Sequence, residues 1–371
     1  MNIGFDAKRA LFNRSGLGNY SRSTVRLLSK FYPDNNYFLF SGKNDQKLFQ
    51  PSENHFIVKP QGKISGLFPS FWRVWGLRQQ LNLQKLDIYH GLSNELPWNL
   101  KKTGVKSVVT IHDLIFLRFP EYYPFIDRKI YLLKFRHACR VADKIIATSE
   151  STKQDIITFF KTDPSKIEVV YQTCDPVFRK LVDNSRKDEV RKKYNLPENF
   201  ILYLGTIEKR KNALTLVKAY LNENIDIPLL IAGKPTAYLA EIKEYLKQKP
   251  AAQRVIFRHN IESADLPAIF QSAHIFVYPS VFEGFGIPIL EALYSGVPVI
   301  TSNGSCFGET GGDAALYCDP YNAEEMGNCI LQVLKNSNTR QSMIEKGFIQ
   351  GKKFDEIKVA ANLMNVYLDL C

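Results

Sequence analysis

The sequence predicts an α/β protein made of two doubly wound, Rossmann-like domains that face each other across a cleft. Short runs of apolar, β-branched or aromatic residues alternate with longer helical patterns along the chain. Most of these runs are apolar throughout, which is typical of parallel strands covered by helices on both faces. At 371 residues, the chain is long enough for two hydrophobic cores of ordinary size.

Twelve runs are predicted strands, joined mostly through helical stretches. Such connections form right-handed βαβ units, which build a doubly wound sheet. The first seven strands are predicted at 2–7, 37–41, 55–59, 87–90, 106–111, 144–149 and 167–171, and the other five at 200–205, 228–233, 254–259, 275–280 and 297–302.

A polar segment separates these two sets of strands. Between Cys174 and Asn199 the chain has many charges and few large apolar residues. We therefore expect domains at 1–178 and 179–352, and a terminal helix within 353–371 that could pack back on the first domain. Ligands of doubly wound sheets bind outside the carboxyl ends of the strands, so site residues are expected in the loops that follow them.

Composition excludes several classes of protein. The chain is 45% hydrophobic and 23% charged without low-complexity tracts, which excludes a disordered protein. Its six cysteines include no CxxC pair, so neither a zinc site nor a disulfide scaffold has support. We predict a cytoplasmic location, because no apolar window reaches the roughly 18 residues of a membrane span and the first residues do not resemble a signal peptide. The formal net charge of +12 favours anionic partners.

The segment 278–302, YPSVFEGFGIPILEALYSGVPVITS, has the most informative pattern. A strand leads into a glycine loop, and Pro288 and Gly296 are typical of the first turn and the end of a helix. The free N–H groups at such a helix start bind anions. Glu283 in the loop and Glu291 in the helix can accept hydrogen bonds from different hydroxyls of one long ligand. The alternative interpretation makes them a surface acid and a helix-dipole partner.

A second candidate site, TIEKRKN at 206–212, follows the strand at 200–205. Consecutive cations suit a diphosphate, because Arg binds two oxygens at once and Lys adds a point charge. A solvated basic turn is the alternative. At the other strand ends of this domain, backbone groups are expected to read a nucleobase.

Three patterns in the first domain add candidates. The loop SGLGNYS carries Gly16 and Gly18 but lacks the third glycine of a dinucleotide-binding loop. His112 follows the strand at 106–111 and is the first choice for contact with substrate. His90, which ends a neighbouring strand, is assigned with Asn94 to the acceptor side, although a structural histidine is as good an interpretation.

The segment EGFGIPILEALYSGVPVI resembles the E-x7-E signature of family 4 of the retaining nucleotide-sugar glycosyltransferases, which have the GT-B architecture. The resemblance extends from SGLGNYS to GETGGDAALYCDP at 308–320, and TIHDL, FPEYYP and GTIEKRKN resemble its mannosyltransferase-like branch. It implies a front-face displacement, in which the leaving phosphate takes the acceptor's proton. No cofactor and no metal are expected, because no D-x-D pair occurs and cations would take the metal's place.

The residues and the resemblance together predict three sets of site residues. The catalytic set is His112, Glu283, Arg210 and Lys211. The donor-binding set is Gly16, Gly18, Gly205, Arg210, Lys211, Gly233, Asn260, Ile261, Glu283, Gly284, Phe285, Gly286, Ile287 and Glu291. The acceptor-side set is His90 and Asn94.

The function implied by the resemblance is transfer of a hexose, mannose first, from a nucleotide-sugar to a glycan, in bacterial surface polysaccharide or lipopolysaccharide biosynthesis. GDP-mannose is the leading donor, and a UDP-sugar carrying glucose or an N-acetylhexosamine is the alternative. The expected acceptor is a glycan or lipid-linked glycan at the inner face of the membrane. A sugar-nucleotide epimerase, a glycogen-synthase-like polymerase and a non-catalytic nucleotide- or nucleic-acid-binding protein are weaker alternatives. No nucleic-acid partner is expected, because no nucleic-acid-binding module matches.

Two segments leave peripheral membrane association open. Residues 66–75 concentrate aromatic side chains with one arginine, and residues 128–140 are rich in cations. Each suits a lipid-facing surface. A core helix with two buried tryptophans is the preferred interpretation of the first segment, and lysine and arginine stems on a solvated helix face explain the second.

Overall fold

The computed structural model of the protein describes residues 1–42, 48–60, 76–247 and 249–371. It divides into two compact units. Unit 1 comprises Met1–Thr173 and Asp355–Cys371, and unit 2 comprises Cys174–Phe354. The aromatic segment at 66–75 lies outside the described residues.

In the described part of unit 1, seven strands form one sheet in the order β3-β2-β1-β4-β5-β6-β7, and every neighbouring pair is parallel. The strands are β1 Asn2–Asp6, β2 Asn36–Phe40, β3 His55–Val58, β4 Ile88–Gly91, β5 Lys106–Ile111, β6 Lys144–Ala147 and β7 Ile167–Val169. The described helices are α1 Lys8–Phe12, α2 Gly16–Phe31, α3 Arg78–Leu83, α4 Ile115–Arg118, α5 Phe125–Val141, α6 Glu150–Phe160 and the terminal α15 Glu356–Leu368.

Unit 2 repeats the plan with six strands among its described residues, in the order β10-β9-β8-β11-β12-β13, again parallel throughout. The strands are β8 Ile201–Leu204, β9 Leu229–Ala232, β10 Val255–Arg258, β11 Ile275–Tyr278, β12 Val299–Ser302 and β13 Ala315–Cys318. The helices are α7 Asn184–Tyr194, α8 Ala213–Asn222, α9 Tyr238–Leu246, α10 Leu266–Ser272, α11 Ile287–Tyr294, α12 Phe307–Gly311, α13 Ala323–Lys335 and α14 Ser337–Gly351.

The predicted fold class is confirmed. The central strands β4, β9, β11 and β12 are buried along their whole length, as expected for parallel strands covered on both faces. The twelve predicted strands all form, with ends that differ by up to two residues. The thirteenth strand, β13, was not predicted, because its four residues follow a glycine pair and half of them are only partly buried.

The terminal helix α15 belongs to unit 1. Its residues Val359, Leu363 and Met364 are buried in the core beside β1. At its first turn, Glu356 accepts hydrogen bonds from Arg26, and from Lys30 at 2.8 Å, both on α2. The helix thus completes a core whose other residues come from the first 170 positions of the chain.

Both sheets have a point where the strand order reverses. The strand β1 lies between β2 and β4, and β8 lies between β9 and β11. From such a central strand, the chain first builds the sheet to one side and later to the other. The connections after β8 and β11 therefore run to opposite sides of the sheet and leave a crevice at the carboxyl ends of these two strands. This arrangement brings the basic loop after β8 beside the glycine loop after β11.

No helix among the described residues is long and apolar enough to cross a membrane.

A glycine is required where the loops after β8 and β9 meet. A Cβ on Gly233 would lie 1.8 Å from the carbonyl oxygen of Gly205, and Gly233 has a φ of +148°. We expect Gly233→Ala to destabilise unit 2 by about 3 kcal/mol, which lowers its thermal midpoint by about 6–10 °C. Circular dichroism or calorimetry measures the shift.

The control is Gly308→Ala, because a Cβ there would meet nothing within 4 Å. It lies in α12, where alanine is the better helix former, so its midpoint should stay the same or rise slightly. Equal midpoints for the two variants would contradict the close approach.

Candidate functional site

The centre of the site in unit 2 is a carboxylate held by two cations. Arg210 Nη1 lies 2.7 Å and Lys211 Nζ 2.5 Å from the same oxygen of Glu283, Oε1. The three side chains are only 12–15% exposed. The cations follow β8 and the carboxylate follows β11, so the order reversal of the sheet brings them together.

The charges of this cluster depend on one another. Burial alone would raise the pKa of Glu283, but Arg210 and Lys211 overcome it and lower that pKa to about 2. Burial lowers the pKa of Lys211, and the Glu283 carboxylate opposes that shift. The cluster is therefore a charged one at neutral pH, in a place where unpaired ions would be costly.

Backbone contacts fix the two loops to each other. Val281 N–H donates to the carbonyl of Arg210 at 2.9 Å, and Arg210 Nη1 donates to the carbonyl of Phe282 at 2.7 Å. From the loop after β12, the Ser305 hydroxyl accepts from Glu283 N–H at 3.1 Å and donates to its carbonyl at 2.8 Å. The backbone that carries the Glu283 carboxylate is thus held by hydrogen bonds from the loops after β8 and β12.

Two positioning residues were not among the predicted site residues. Lys211 Nζ donates to the hydroxyl of Tyr278, the last residue of β11, at 2.6 Å. Asn212 has a φ of +58°, and its amide donates to the carbonyls of Pro279 and Pro320. Asn212 therefore ties the basic loop to the ends of β11 and β13. Its signal in the sequence is an asparagine at a helix start, which alone does not reveal these partners.

The remaining cation of the basic loop, Lys209, points away from Glu283. Lys209 is 61% exposed and its Nζ lies 3.1 Å from Glu241 on α9. Arg210 Nη2 also contacts Glu208, at 2.8 Å. The run of three cations is therefore divided into two that face Glu283 and one that does not.

The helix after the glycine loop has the predicted ends. Gly286 caps it with a φ of +89°, Pro288 lies in its first turn, and Gly296 follows it with a φ of +69°. The Phe285 ring is buried against Phe354, and its carbonyl accepts a hydrogen bond of 2.5 Å from the Thr310 hydroxyl. The partly buried Gly284 and Ile287 flank this anchored turn.

Glu291 lies on α11, and burial, aided by the nearby Asp175, raises the pKa of Glu291 to about 8. Among the described residues, no side chain forms an ion pair or hydrogen bond with its carboxyl group. At neutral pH the Glu291 carboxyl group is therefore mostly in its protonated, neutral form. A partly buried acid with a raised pKa and no side-chain partner contributes little to stability, which favours a ligand contact.

The remaining predicted donor residues of unit 2 lie at the ends of neighbouring strands. Gly205 follows β8 and Gly233 follows β9, and the His259 ring bonds the Gly233 carbonyl at 2.8 Å. After β10, Asn260 is exposed with a φ of +58°, and Ile261 is partly buried. All four residues lie at the same edge of the sheet as Arg210.

In unit 1, His112 follows β5 and is held as a neutral imidazole. Its Nε2 lies 2.9 Å from the Leu92 carbonyl, which requires a proton on Nε2. Burial, with a smaller effect from Arg9, lowers the pKa of His112 to about 4. Nδ1 is then an acceptor, and within the described residues it has no hydrogen-bond partner. The His112 ring packs edge-to-face against Tyr20, with the two ring centroids 4.5 Å apart.

His90 is a core residue. It is fully buried, and its two ring nitrogens bond the Tyr367 hydroxyl at 2.7 Å and the Thr110 hydroxyl at 2.8 Å. Burial lowers the pKa of His90 to about 3. A ring with both nitrogens occupied offers nothing to an acceptor, so we keep the structural interpretation of His90 and leave it out of the proposed site.

Asn94 and the glycines of the first loop have mainly structural contacts. The side-chain oxygen of Asn94 accepts from His112 N–H at 2.8 Å, so Asn94 positions His112. Gly18 is buried, bonds Ser15 through its N–H, and has no room for a Cβ because Asn13 O would lie 1.9 Å away. Its backbone is therefore occupied by packing. Gly16 is exposed in the first turn of α2.

Comparison with known proteins identifies the family. Residues 16–178 match the family model described as Glycosyltransferase Family 4, and residues 186–350 match that described as Glycosyl transferases group 1. The chain belongs to the group 1, family 4 glycosyltransferases, and the resemblance of its E-x7-E segment is confirmed.

Known proteins match most or all of this chain. O-antigen chain mannosyltransferase B from Escherichia coli is 29% identical, covering 99% of each chain. O-antigen chain mannosyltransferase RfbU from Salmonella typhimurium is 26% identical, over 71% of this chain and 70% of that one. Among solved structures, sucrose-phosphate synthase from Thermosynechococcus elongatus has a TM-score of 0.80 at 20% identity, covering 100% and 99%. HepE from Anabaena, solved with UDP and glucose, has a TM-score of 0.75 at 17% identity over both whole chains. These structures share the fold.

The raised pKa of Glu291 predicts a stability effect with a definite sign. A group whose pKa is higher in the folded than in the unfolded chain stabilises the fold at low pH, and that stability is lost as pH rises towards the folded value, here about 8. We expect Glu291→Gln, which cannot ionise, to be more stable than the wild type by on the order of 1–3 kcal/mol at pH 8.5 and by much less at pH 5. Thermal unfolding across this pH range measures the difference.

Glu324→Gln is the matched control, since Glu324 is an exposed acid in the first turn of α13. Its difference from the wild type should not grow between pH 5 and pH 8.5. A gap for Glu291→Gln that is equally independent of pH would show that Glu291 is ionised in the folded protein.

Proposed function

We propose that this glycosyltransferase is a retaining, metal-independent hexosyltransferase that moves mannose from GDP-mannose to a glycan acceptor in the biosynthesis of a bacterial surface polysaccharide. The observation that carries the proposal is the cluster of Arg210, Lys211 and Glu283 at the reversal point of the unit 2 sheet. This is the place where doubly wound sheets bind nucleotides.

The two cations are suited to the diphosphate of the donor. Lys211 Nζ contacts Glu283 Oε1 and the Tyr278 hydroxyl, so the third N–H of its ammonium group can donate to a phosphate oxygen. The guanidinium of Arg210 adds a second fixed positive charge beside it. As the bond to the sugar breaks, negative charge grows on the leaving diphosphate, and cations fixed beforehand stabilise that charge most effectively.

The two acids have different roles in the proposal. Glu283 is ionised and fixed by its backbone, so it accepts hydrogen bonds from hydroxyls of the transferred sugar. Glu291 lies in α11, about one turn after the helix start, and accepts from the ribose hydroxyls. In unit 1, the bare Nδ1 of the neutral His112 is an acceptor for a sugar hydroxyl near the reacting carbon.

The retaining and metal-independent character rests on the family resemblance and on the chemistry of the cluster. In a front-face displacement, the acceptor oxygen attacks the anomeric carbon on the side from which the phosphate departs, and the phosphate takes the acceptor's proton. Arg210 and Lys211 supply the positive charge that a metal ion supplies in other sugar transferases. No residue of the chain needs to form a covalent bond to the sugar.

The choice of sugar rests on the relatives. The two similar proteins from Escherichia coli and Salmonella typhimurium are named O-antigen mannosyltransferases, and the first matches over 99% of each chain. This supports mannose as the transferred sugar and an O-antigen type of glycan as the acceptor. Such a growing glycan is lipid-linked in the proposal, which places the enzyme at the inner face of the membrane as a peripheral protein.

The direct test is a panel of GDP- and UDP-sugars incubated with the protein and EDTA, read as saturable binding and slow donor hydrolysis. We expect GDP-mannose to be bound and hydrolysed without metal, and the configuration at the anomeric carbon of the transferred sugar to be retained, as measured by NMR. Selective binding of a UDP-sugar would assign the alternative donor. Activity only after a divalent metal is restored, or an inverted product, would contradict the proposal.

Two neighbouring lysines offer a matched test of the cation role. We expect Lys211→Ala to lower kcat by about 100-fold or more, because one fixed charge beside the leaving group is lost. Lys209→Ala should change kcat by about twofold at most, because its side chain is exposed and paired with Glu241. Turnover of GDP-mannose, with thermal midpoints as a check on folding, makes the comparison. Equal effects of the two substitutions would contradict the assignment of Lys211.

A further inference from the structure

The helix α5 of unit 1 exposes large apolar side chains along one face. Ile126 is 71%, Ile130 44% and Leu133 61% exposed. Their spacing of four and three residues puts them on one stripe of the helix. Phe125, 63% exposed, lies beside this stripe at the first turn. The other side of the helix is buried through Phe135, Ala138 and Cys139.

Cations run along the same exposed face. Lys129, Arg136 and Arg140 are exposed, and with Leu133 they follow the spacing of one helix face. The helix has five lysines and arginines, and Asp127 is its single acid. The stripe is therefore apolar at its N-terminal half and basic beside and beyond it. We call Ile126, Lys129, Ile130, Leu133, Arg136 and Arg140 the α5 face.

We propose that the α5 face docks on an anionic lipid bilayer, with its isoleucine and leucine side chains entering the headgroup region and its cations contacting lipid phosphates. An amphipathic helix that lies in the plane of a membrane has this composition, with apolar side chains on one stripe and Lys or Arg next to it. Long cationic side chains keep their charge at the headgroup level while their stems cover apolar surface.

Charge complementarity selects a bilayer as the occupant. Leaving the large apolar side chains of α5 in water is unfavourable in free energy. Exposed apolar patches rimmed by polar residues mark interaction sites. The rim here carries positive charge at three exposed positions, Lys129, Arg136 and Arg140. Anionic headgroups offer negative charge over an extended plane, and each nearby cation strengthens such binding. A single anionic ligand would not cover four exposed apolar side chains.

The other exposed apolar residues in the described part of the chain form no comparable stripe. Leu181 is 92% exposed and lies in a short loop before α7. Ile349 on α14 is 66% exposed, and Ile357 on α15 is 61% exposed. Phe348, beside Ile349, is 49% exposed and exposed lysines lie nearby. None of these residues, however, belongs to a stripe of three large exposed apolar side chains like that of α5, so they provide controls.

Docking on a membrane would bring the enzyme to the lipid-linked acceptor of the proposed function. The docking proposal rests on the proposed function only through that acceptor. Binding to vesicles can be measured without donor or acceptor. A protein that binds vesicles and transfers no sugar would refute the proposed function and leave the docking intact. A protein that hydrolyses GDP-mannose and does not bind vesicles would do the reverse.

The experiment uses the full chain and vesicles made of equal parts phosphatidylglycerol and phosphatidylcholine, or of phosphatidylcholine alone. Co-sedimentation gives a partition coefficient for each. We expect Ile126→Ser with Leu133→Ser to lower partitioning onto the anionic vesicles by roughly tenfold or more. Lys129→Gln with Arg136→Gln and Arg140→Gln should lower it by a similar factor and remove most of the preference over neutral vesicles.

The control is Leu181→Ser with Ile349→Ser, which removes two comparably exposed apolar side chains and should leave partitioning within about twofold of the wild type. Donor hydrolysis without vesicles should be unchanged in every variant, since none of the substituted residues lies in the proposed site. Equal partitioning of the wild type and the Ile126→Ser, Leu133→Ser variant would overturn the proposal. So would a wild type that dimerises in solution through this face and loses the dimer in that variant.

Discussion

The order reversal of each parallel sheet is the constraint on which the site depends. Because β8 lies between β9 and β11, two segments about 70 residues apart end side by side at one edge of the sheet. The close packing of Gly233 on Gly205, the contact of Val281 with Arg210 and the clamp of Ser305 on Glu283 all follow from that arrangement. Backbone contacts therefore place the charged side chains before any ligand arrives.

The charges in this crevice are balanced by one another. A buried ion is stable only when its partner is close and its remaining bonding groups are used. Glu283 meets that requirement through Arg210 and Lys211, while Lys211 also has Tyr278. Glu291, a few residues away, meets it by holding a proton. The loop after β11 thus contains an acid that is ionised, the helix that follows it contains an acid that is mostly protonated at neutral pH, and the difference arises from their neighbours.

Most of the fold was predictable, because parallel strands buried on both faces leave continuous apolar runs in the sequence. The exception, β13, has the apolar sequence ALYC, but it is only four residues long, follows a glycine pair and is half-buried, so it resembles a loop segment more than the other strands do. The sequence also placed Arg210, Lys211 and Glu283 at strand ends. It could not show that both cations share one oxygen of Glu283, that Lys209 turns away to Glu241, or that Tyr278 and Asn212 hold the basic loop. Those contacts depend on which strands are neighbours. His90 shows the same limit, since its partner Tyr367 is 277 residues distant.

The return of α15 to unit 1 also concerns the order in which the chain is made. The hydroxyl that pairs with the buried His90 ring comes from Tyr367, and the apolar residues that complete the core beside β1 come from the same helix. A ribosome synthesises all of unit 2 between these two parts of unit 1. During translation, the residues that complete the core of unit 1 and pair with the His90 ring therefore become available only after all of unit 2 has been made.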